Sequence, residues 1–488
     1  MARINTNVPS LIAQNNLGRT SGDLAVRLQR LSTGLRINRG ADDPAGLIVS
    51  ERLRSEMKGL DQAIDNSERA SSVIATAEGY LAEVADLLNS VKSLVVEAAN
   101  TGGVSQDEID ANQLQIDSAI ESITRISNTA SFAGLPLLNG NLEYTTSGVT
   151  GSEISGVQIN GAQFGSTGDI GVDVEVVEEA RTAGLFIDGS TGATPGVIED
   201  PITVEIAGPL GVQSVSFASG TALSSVATAI NTLTETTGVT ATFATSGVQV
   251  NSTDYGSDSF VSVKQIGANS DDFDVFDEVG GNLAQRAEGQ DVTAVVNGVL
   301  AVGDGLGISL KTPGLSIDLD LTETFATTVN GTASTFNITG GGASFQLGPS
   351  ISATQSAGLG IQSVAATRIG GTDVEGIRYF LDSISAGKDN SLSSGNFAQA
   401  SEILDSAITE ISVMRGRLGA FERNTLQTNV RSLQIGLENI TASESQIRDT
   451  DFASETAKLT RAQILNQAGT SVLATANASA QSVLALLQ

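Results

Sequence analysis

The densest group of side chains that could do chemistry is the run from Asp271 to Glu278, which places five carboxylates within eight residues. Clustered carboxylate oxygens are the ligands that calcium prefers, but this run lacks the glycine and the ligand spacing of an EF-hand loop. The chain has no His and no Cys, so the commonest general base, the thiol nucleophile and the soft metal ligands are missing. We therefore predict no catalytic residue, no cofactor and no metal site.

Charge is distributed unevenly along the 488 residues. Residues 141–350 hold 25 acidic against 4 basic residues, whereas the two ends together hold 30 against 22, within a net charge of −29. Binding of nucleic acid depends on clustered positive charge, so we exclude it. The N-terminus lacks the apolar region of a cleaved signal peptide, and no window is apolar enough to span a membrane.

The longest regular pattern lies between residues 60 and 98, where apolar residues repeat at alternating spacings of three and four. This pattern predicts one long helix with a continuous apolar seam, broken only by Ser67, of the kind that pairs with another helix. A second series between 397 and 440 has the same spacing and slips by one residue near Asn424, where we expect a local change of winding. The second helix is the natural cover for the first. The predicted seams include Leu60, Ile74, Leu81, Leu88 and Val95 in one helix and Leu404, Ile411 and Leu418 in the other.

The two ends of the chain carry shorter seams of the same kind. They consist of Leu17, Leu24, Leu28, Leu31 and Leu35 near the N-terminus, and of Leu465, Val472, Ala476, Val483 and Leu486 near the C-terminus. Exposed seams of this size do not offset the entropy of ordering the ends in a single chain. We expect both ends to become ordered only when copies of the chain bury these seams together.

From Gly134 onward the helical period gives way to alternation. Leu315–Leu321 reads as a strand with one apolar face and one acidic, exposed face, and Leu223 begins an embedded helix. The predicted fold class is α+β and multidomain, with long coiled-coil-like helices from both ends packed together around a β-rich inserted middle. The predicted domains are 1–44 with 450–488, 45–140 with 341–449, and an acidic, outward-projecting region of one or two subdomains at 141–340.

Two motifs at opposite ends carry a resemblance to a known family. Leu31-Ser-Thr-Gly-Leu-Arg-Ile-Asn38, followed by Asp42-Asp-Pro-Ala-Gly46, resembles the N-terminal signature of bacterial flagellin. Residues 441–475, with Arg448-Asp-Thr-Asp-Phe-Ala453 and Leu459-Thr-Arg-Ala-Gln-Ile-Leu465, resemble its C-terminal signature. Residues 200–266 are similar to an insert found in some flagellins.

The resemblance implies a structural subunit that polymerises into the flagellar filament, the propeller of swimming bacteria. It implies that the terminal helices form an inner tube, that the long helices surround it and that the middle projects outward. It also implies extracellular localisation after export without a cleaved signal peptide, through the flagellar export apparatus and with a chaperone on the C-terminal helix. Further implied partners are the filament cap and junction proteins; no nucleic acid or membrane is implied.

Family members are also bound by an innate immune receptor, through the region that corresponds to residues 88–98 and the helix that follows it. Leu94 matches the family at this contact, whereas Ser90 stands where arginine is usual and Gln115 lies near the place of a usual glutamate. We therefore expect weak recognition of this chain.

Three alternatives remain at this point. A hook-filament junction protein has similar end helices, but its C-terminus should not show the run Ala462 to Ala468 so closely, and it should cap rather than polymerise. A secreted enzyme on the same scaffold would need a carboxylate pair or a metal cluster in the middle region. A free-standing coiled-coil adhesin would have folded ends and would not polymerise.

Overall fold

The computed structural model describes residues 6–485 apart from 165–167, 189–195, 199, 245–246, 267–272, 280, 330 and 375–376, and the side chains of 373–374 and 479–485 lie outside the description as well. The chain divides into two compact units. The first consists of Met1–Ser72, Gln346–Ile351 and Ala420–Gln488, and the second of Val73–Phe345 and Ser352–Gly419. The two ends of the chain therefore fold together in one unit.

Long helices occupy both ends of the described chain, and short helices lie between them. The helices are α1 (Val8–Thr33), α2 (Pro44–Ala98), α3 (Gln106–Thr129), α4 (Leu223–Asn231), α5 (Thr234–Thr237), α6 (Glu323–Ala326), α7 (Phe397–Phe421), α8 (Gln427–Arg448) and α9 (Phe452–Ala485). Short 3-10 helices lie at Ala353–Gln355, Leu381–Ile384 and Leu392–Ser394. The helical ends that the sequence predicts are confirmed.

Strands fill the middle of the chain, as the alternating pattern predicts. They are β1 (Ser131–Phe132), β2 (Leu135–Pro136), β3 (Tyr144–Ser147), β4 (Ile154–Ala162), β5 (Ile170–Glu178), β6 (Thr182–Asp188), β7 (Val197–Ile198), β8 (Ile202–Gly208), β9 (Gly211–Phe217), β10 (Thr221–Ala222), β11 (Val239–Ala244), β12 (Gly247–Tyr255), β13 (Phe260–Ile266), β14 (Asp274–Phe276), β15 (Arg286–Glu288), β16 (Thr293–Val296), β17 (Val299–Leu300), β18 (Val302–Asp304), β19 (Gly307–Lys311), β20 (Leu315–Leu321), β21 (Ser334–Gly341), β22 (Ala343–Gln346), β23 (Ser356–Leu359), β24 (Thr372–Val374) and β25 (Ile377–Tyr379). The α+β fold class is confirmed.

In the first unit, α1 is bounded by two sequence signals. Asn7 Oδ1 accepts a hydrogen bond from Ser10 N at 3.1 Å and caps the N-terminus, where the first turn also contains proline. The helix ends at Gly34, whose φ of +74° is a left-handed conformation that glycine adopts without steric cost. Thr450 N then donates to Gly34 O at 2.9 Å, so the segments that follow α1 and precede α9 lie side by side.

The first part of α2 runs antiparallel to α8 within the same unit. Asp43, directly before Pro44, caps the N-terminus of α2, because its Oδ1 accepts from Gly46 N at 2.9 Å. Ser50 Oγ donates to Glu444 Oε1 at 3.0 Å, and Asn429 Nδ2 donates to Ser67 Oγ at 3.2 Å. The single polar residue of the α2 seam is therefore hydrogen-bonded by the opposite helix.

A π-helix, Glu422–Leu426, joins α7 to α8. A π-turn holds more residues than an α-turn, so it can absorb an extra residue without turning the apolar seam away from its partner. The change of winding predicted near Asn424 from the one-residue slip of the seam is confirmed.

The helical part of the second unit comprises the rest of α2 together with α3 and α7. A capping box begins α3: Ser105 N donates to Glu108 Oε2 at 2.7 Å, and Glu108 N donates to Ser105 Oγ at 3.4 Å. Lys92 of α2 forms an ion pair with Asp405 of α7. On α3 a stripe of isoleucines is buried, and it consists of Ile109, Ile116, Ile120 and Ile123.

The β-rich middle contains two hydrophobic cores, and one is inserted into the other in sequence. The flanking β core comes from residues 144–180 and 292–338, and the inserted β core from residues 183–275. The sheets of the flanking core have the orders β17-β16-β5-β21-β3 and β18-β19-β20-β4; those of the inserted core have the orders β11-β12-β6-β14 and β15-β13-β8-β9. Arg181 and Gln290 exchange two backbone hydrogen bonds of 2.9 Å at the point where the chain enters and leaves the inserted core.

Strand β20 alternates as predicted, with Leu315, Ile317, Leu319 and Leu321 buried in the flanking core. Its acidic face is only partly a solvated surface. Asp318 is half-buried, accepts from Asn160 Nδ2 at 2.7 Å and lies 3.6 Å from Arg417 Nη2 on α7. The expectation that this face is exposed is therefore wrong for Asp318 and holds for Asp320.

Candidate assembly surface

The two ends of the chain pair as antiparallel helices. At the start of α1, Asn7 Nδ2 donates to Ala476 O at 3.0 Å, and at its end Arg27 Nη1 lies 2.9 Å from Glu455 Oε1. Between them, a Cβ placed on Gly469 would lie 3.9 Å from Leu17 Cβ, so the two backbones approach closely where α9 has no side chain. We call α1 and α9 together the terminal pair.

Some of the predicted end-seam residues lie inside the terminal pair. Leu17, Leu24, Leu31 and Ala476 are half-buried. Leu35 is half-buried as well, but it follows α1 and forms an isolated β-bridge with Asp449. On α9 the residues turned toward α1 also include half-buried Leu459 and Leu473 and buried Ala462. The predicted seam shares Ala476 with this stripe, but its members Leu465 and Val472 each lie one position before a residue of the stripe.

Other predicted end-seam residues face outward from the terminal pair. Leu28, Leu465 and Val472 are 46–58% exposed. Ile464 is exposed as well. The side chain of Val483 and the whole of Leu486 lie outside the described residues. We call Ile464, Leu465 and Val472 the C-terminal apolar face.

Helix α1 carries a second apolar surface that the sequence reasoning missed. Val8, Leu11 and Ile12 are 49–55% exposed, and Val26 is exposed as well. At about 3.6 residues per turn, these four lie roughly opposite Leu17, the residue that contacts α9. We call the four residues the N-terminal apolar face. The spacing of eighteen residues between Val8 and Val26, five helical turns, is the signal that could have revealed it.

The predicted long-helix seams are buried within the described chain. Leu60, the most exposed of their members, is still buried. The remaining members, Ile74, Leu81, Leu88, Val95, Leu404, Ile411 and Leu418, have at most 1% of their surface exposed. These side chains are therefore available for packing within a subunit and not for contact with another one.

The residues of the predicted receptor contact are more exposed than those of the long-helix seams. Ser90 of α2 and Gln115 of α3 are exposed, and Leu94 is half-buried. Beside Gln115, Leu114 is exposed over 71% of its surface. Two polar side chains and one unpredicted leucine are thus accessible in this region.

Glu410 on α7 is a titratable group of the second unit that is altered by its burial. Burial raises the pKa of its carboxyl above the ordinary value, and hydrogen bonds from the backbone of Gly370 and Gly371 and the charge of Arg378 oppose this increase. Gly370 N donates to Glu410 Oε2 at 3.3 Å. Among the described residues, no three His, Cys, Asp or Glu side chains lie close enough together to hold a metal ion.

The helical ends and the middle of this chain match known protein families. The bacterial flagellin N-terminal helical region matches residues 4–143, and the C-terminal helical region matches residues 401–487. The flagellin hook IN motif matches residues 203–254. The B-type flagellin of Pseudomonas aeruginosa is 30% identical over 542 aligned positions, which cover 99% of each chain. The chain belongs to the bacterial flagellins.

Further full-length relatives have the same name. The flagellin of Salmonella rubislaw is 28% identical and aligns over 99% of each chain; flagellin B of Helicobacter pylori is 28% identical and aligns over 100% of this chain and 99% of its own. Among solved structures, the flagellar hook associated protein-3 of Legionella pneumophila is 11% identical, covers 81% of this flagellin and 98% of its own chain, and has a TM-score of 0.31. A TM-score of this size adds nothing to the assignment.

This flagellin is a structural subunit that polymerises into the bacterial flagellar filament, and it is not an enzyme. As a component of the filament it is exposed outside the cell. The junction-protein alternative has no better support, because the full-length relatives that we compared are flagellins. No helix in the described ranges has the length and apolar character needed to cross a membrane.

Proposed function

We propose that subunits of this flagellin join through the terminal pair, whose apolar faces become buried between neighbouring copies. The observation that carries the proposal is that α1 bears two apolar surfaces, one against α9 and a second that is bare. Exposed apolar side chains grouped in this way are typical of an interaction surface. Because the N-terminal and C-terminal apolar faces differ, contact of one with the other is heterologous and can extend into an open helical polymer.

In this proposal the three sequence-defined regions have separate roles. Residues 1–44 with 450–488 form the inner tube, 45–140 with 341–449 form the layer around it, and 141–340 project outward. The excess of acidic residues in the projecting region supports an outward position, because like charges favour a solvated surface. The buried long-helix seams support the role of the second region as a folded body within each subunit.

The experiment compares the critical concentration for polymerisation of the wild type with that of Leu465→Ser/Val472→Ser. Each side chain is about half exposed, so its full burial contributes about 1 kcal/mol. Loss of both contacts should raise the critical concentration by about tenfold to thirtyfold, since 1.4 kcal/mol corresponds to a factor of ten. The matched control is Leu210→Ser/Val212→Ser at the start of β9, where both side chains are also exposed. Equal effects of the two double variants would contradict the proposal.

The partners of the subunit are a further part of the proposal. Family membership supports export through the flagellar export apparatus, with a chaperone on the C-terminal helix and without removal of a signal peptide, and contact with cap and junction proteins at the ends of the filament. Mass spectrometry of protein sheared from cells tests the export route. We expect the N-terminal peptide to begin at Met1 or Ala2; a peptide that begins after a cleaved segment would refute uncleaved export.

The last part of the proposal concerns recognition by an innate immune receptor. We propose weak recognition, because Ser90 and Gln115 offer neither the positive nor the negative charge that the family uses at this contact. A receptor-reporter assay should give a higher half-maximal dose than a flagellin that carries arginine and glutamate there. Full potency of the wild-type protein would refute this part.

A further inference from the structure

The terminal pair contains one ionic cluster that the proposed assembly contacts do not use. Glu455 on α9 is only 4% exposed. Its Oε1 lies 2.9 Å from Arg27 Nη1 and 4.0 Å from Arg30 Nη1, and its Oε2 lies 3.8 Å from Lys458 Nζ. A carboxylate at this depth is stable only while it keeps these cations, because a buried charge without a partner is costly.

Within α9 the sequence offers no substitute for this carboxylate. Asp451, one turn before Glu455, precedes the helix and is engaged in its cap, where its Oδ1 accepts from Ala453 N at 3.0 Å and from Ser454 N at 3.2 Å. Glu455 is the only acidic residue from Phe452 to the C-terminus, and Asp23 is the only one in α1. A shift of α9 along α1 by one helical turn, about 5.4 Å, would separate Glu455 from Arg27 and Arg30. No other side chain of α9 could then neutralise these two arginines.

Apart from the close approach of Gly469 to Leu17, the contacts of the pair other than those of Glu455 discriminate weakly between registers. The stripe that α9 turns toward α1 repeats leucine and small residues, such as Leu459, Ala462 and Leu473, at spacings of three and four. Apolar contact is non-directional, so such a stripe can be packed again after a shift of one turn. The hydrogen bonds from Ser10 Oγ to Asn477 Oδ1 and from Asn466 Nδ2 to Ser21 Oγ are exposed and replaceable by water. The hydrogen bond from Asn7 Nδ2 goes to the backbone carbonyl of Ala476, a group that every turn of α9 offers.

We propose that Glu455 is the positioning residue that fixes the register of α9 against α1. This inference rests on the proposed function, because the register decides where the C-terminal apolar face stands relative to the N-terminal one. A single buried polar or charged group at a helix seam can specify register at a cost in stability. In this chain, Glu455 selects the one register in which neighbouring subunits meet matched faces.

Disulfide trapping measures the register directly, since the chain has no cysteine of its own. The native-register reporter is Leu17→Cys/Gly469→Cys, because the two Cβ positions lie 3.9 Å apart, within the range that a disulfide needs. The shifted-register reporters are Leu17→Cys/Asn466→Cys and Leu17→Cys/Leu473→Cys. Filaments are oxidised after assembly, and gel mobility separates cross-links within a subunit from those between subunits. A variant that fails to polymerise alone is co-assembled with an excess of wild-type protein.

In the wild-type background the native reporter should give at least about ten times the within-subunit cross-link of either shifted reporter. Glu455→Gln, and separately Arg27→Gln/Arg30→Gln, should lower this ratio by about tenfold. The matched control, Glu438→Gln, removes an exposed carboxylate from α8 and should leave the ratio unchanged. A merely stabilising role of Glu455 would lower total cross-linking and leave the ratio as it was.

An unchanged ratio in Glu455→Gln would overturn the inference, and so would an equal fall in Glu438→Gln. The two proposals fail separately. If the polar substitutions at Leu465 and Val472 leave the critical concentration unaltered, the proposed assembly surface is wrong, whatever the cross-link ratio of the Glu455 variant.

Discussion

Deletion of Asn424 tests the relation between the π-helix and the seam that continues through it. The π-helix Glu422–Leu426 holds one residue more than the alternation of three and four requires. Removal of an exposed residue from it should convert the segment to α-helix and leave the spacing from Leu418 to the residues of α8 continuous. Because no seam side chain turns away, we expect the free energy of unfolding to change by less than about 1 kcal/mol.

The matched deletion is that of Ser432, which is also exposed but lies inside α8. It should rotate the half-buried Leu433, Leu437 and Ile440 by about 100° away from the seam. Loss of roughly half of the burial of three large side chains costs about 3 kcal/mol. Urea unfolding of the monomer, followed by far-ultraviolet circular dichroism, measures both deletions. Equal losses of stability would refute the assignment of the extra residue to the π-helix.

Three further predictions concern the second unit. Leu88→Ala should lower its unfolding free energy by about 2–5 kcal/mol in a denaturant titration, because the side chain is fully buried, whereas Leu114→Ala should have little effect. Burial raises the pKa of the Glu410 carboxyl above 4.5, so this group stabilises the fold below pH 4.5, and the contribution is lost as the pH rises through the raised pKa. Glu410→Gln should therefore flatten that part of the dependence of Tm on pH. An unaltered curve would contradict this prediction. Replacement of the inserted β core by a short turn between Arg181 and Gln290 should leave a protein that still forms filaments in electron micrographs. The reason is that the backbones of these two residues are already hydrogen-bonded to each other. An insoluble product would contradict the independence of the flanking core.

The sequence predicted the long helices well because the same apolar spacing recurs many times along each of them. Twelve positions between 60 and 98 repeat one spacing, and the structure buries every one of them. The slip near Asn424 was readable for the same reason, since a break in a long regular pattern is conspicuous. Caps such as those at Asp43 and Ser105 depend on local hydrogen-bonding rules that need no tertiary information.

The nesting of the β-rich middle could not be read in this way. Val174 of β5 pairs with Val296 on one side and with Ser334 on the other, so the strand neighbours lie more than a hundred residues away in sequence. Alternation identifies a strand and its buried face but not its partners. The same limit explains Asp318, whose outward face is covered by Arg417 of a distant helix.

At the chain ends the sequence reasoning found one apolar surface on each helix where α1 has two. The first residues of α1, Val8, Leu11 and Ile12, precede the series of leucines and were not joined to it. Glu455 was missed although it is the lone acid of α9, because burial of a charge is decided by the partner helix. The structure describes both ends as helices, and the coupling of their order to polymerisation stays a prediction.

Hydrogen exchange of the two helices of the terminal pair, in monomer and in filament, tests the central claim most directly. We expect the amides of residues 8–33 and 460–485 to exchange rapidly in a verified monomer and to become strongly protected in the filament, because only neighbouring copies cover their apolar faces. Strong protection of both segments in the monomer, unchanged on polymerisation, would contradict the claim that the ends of this flagellin become ordered through assembly.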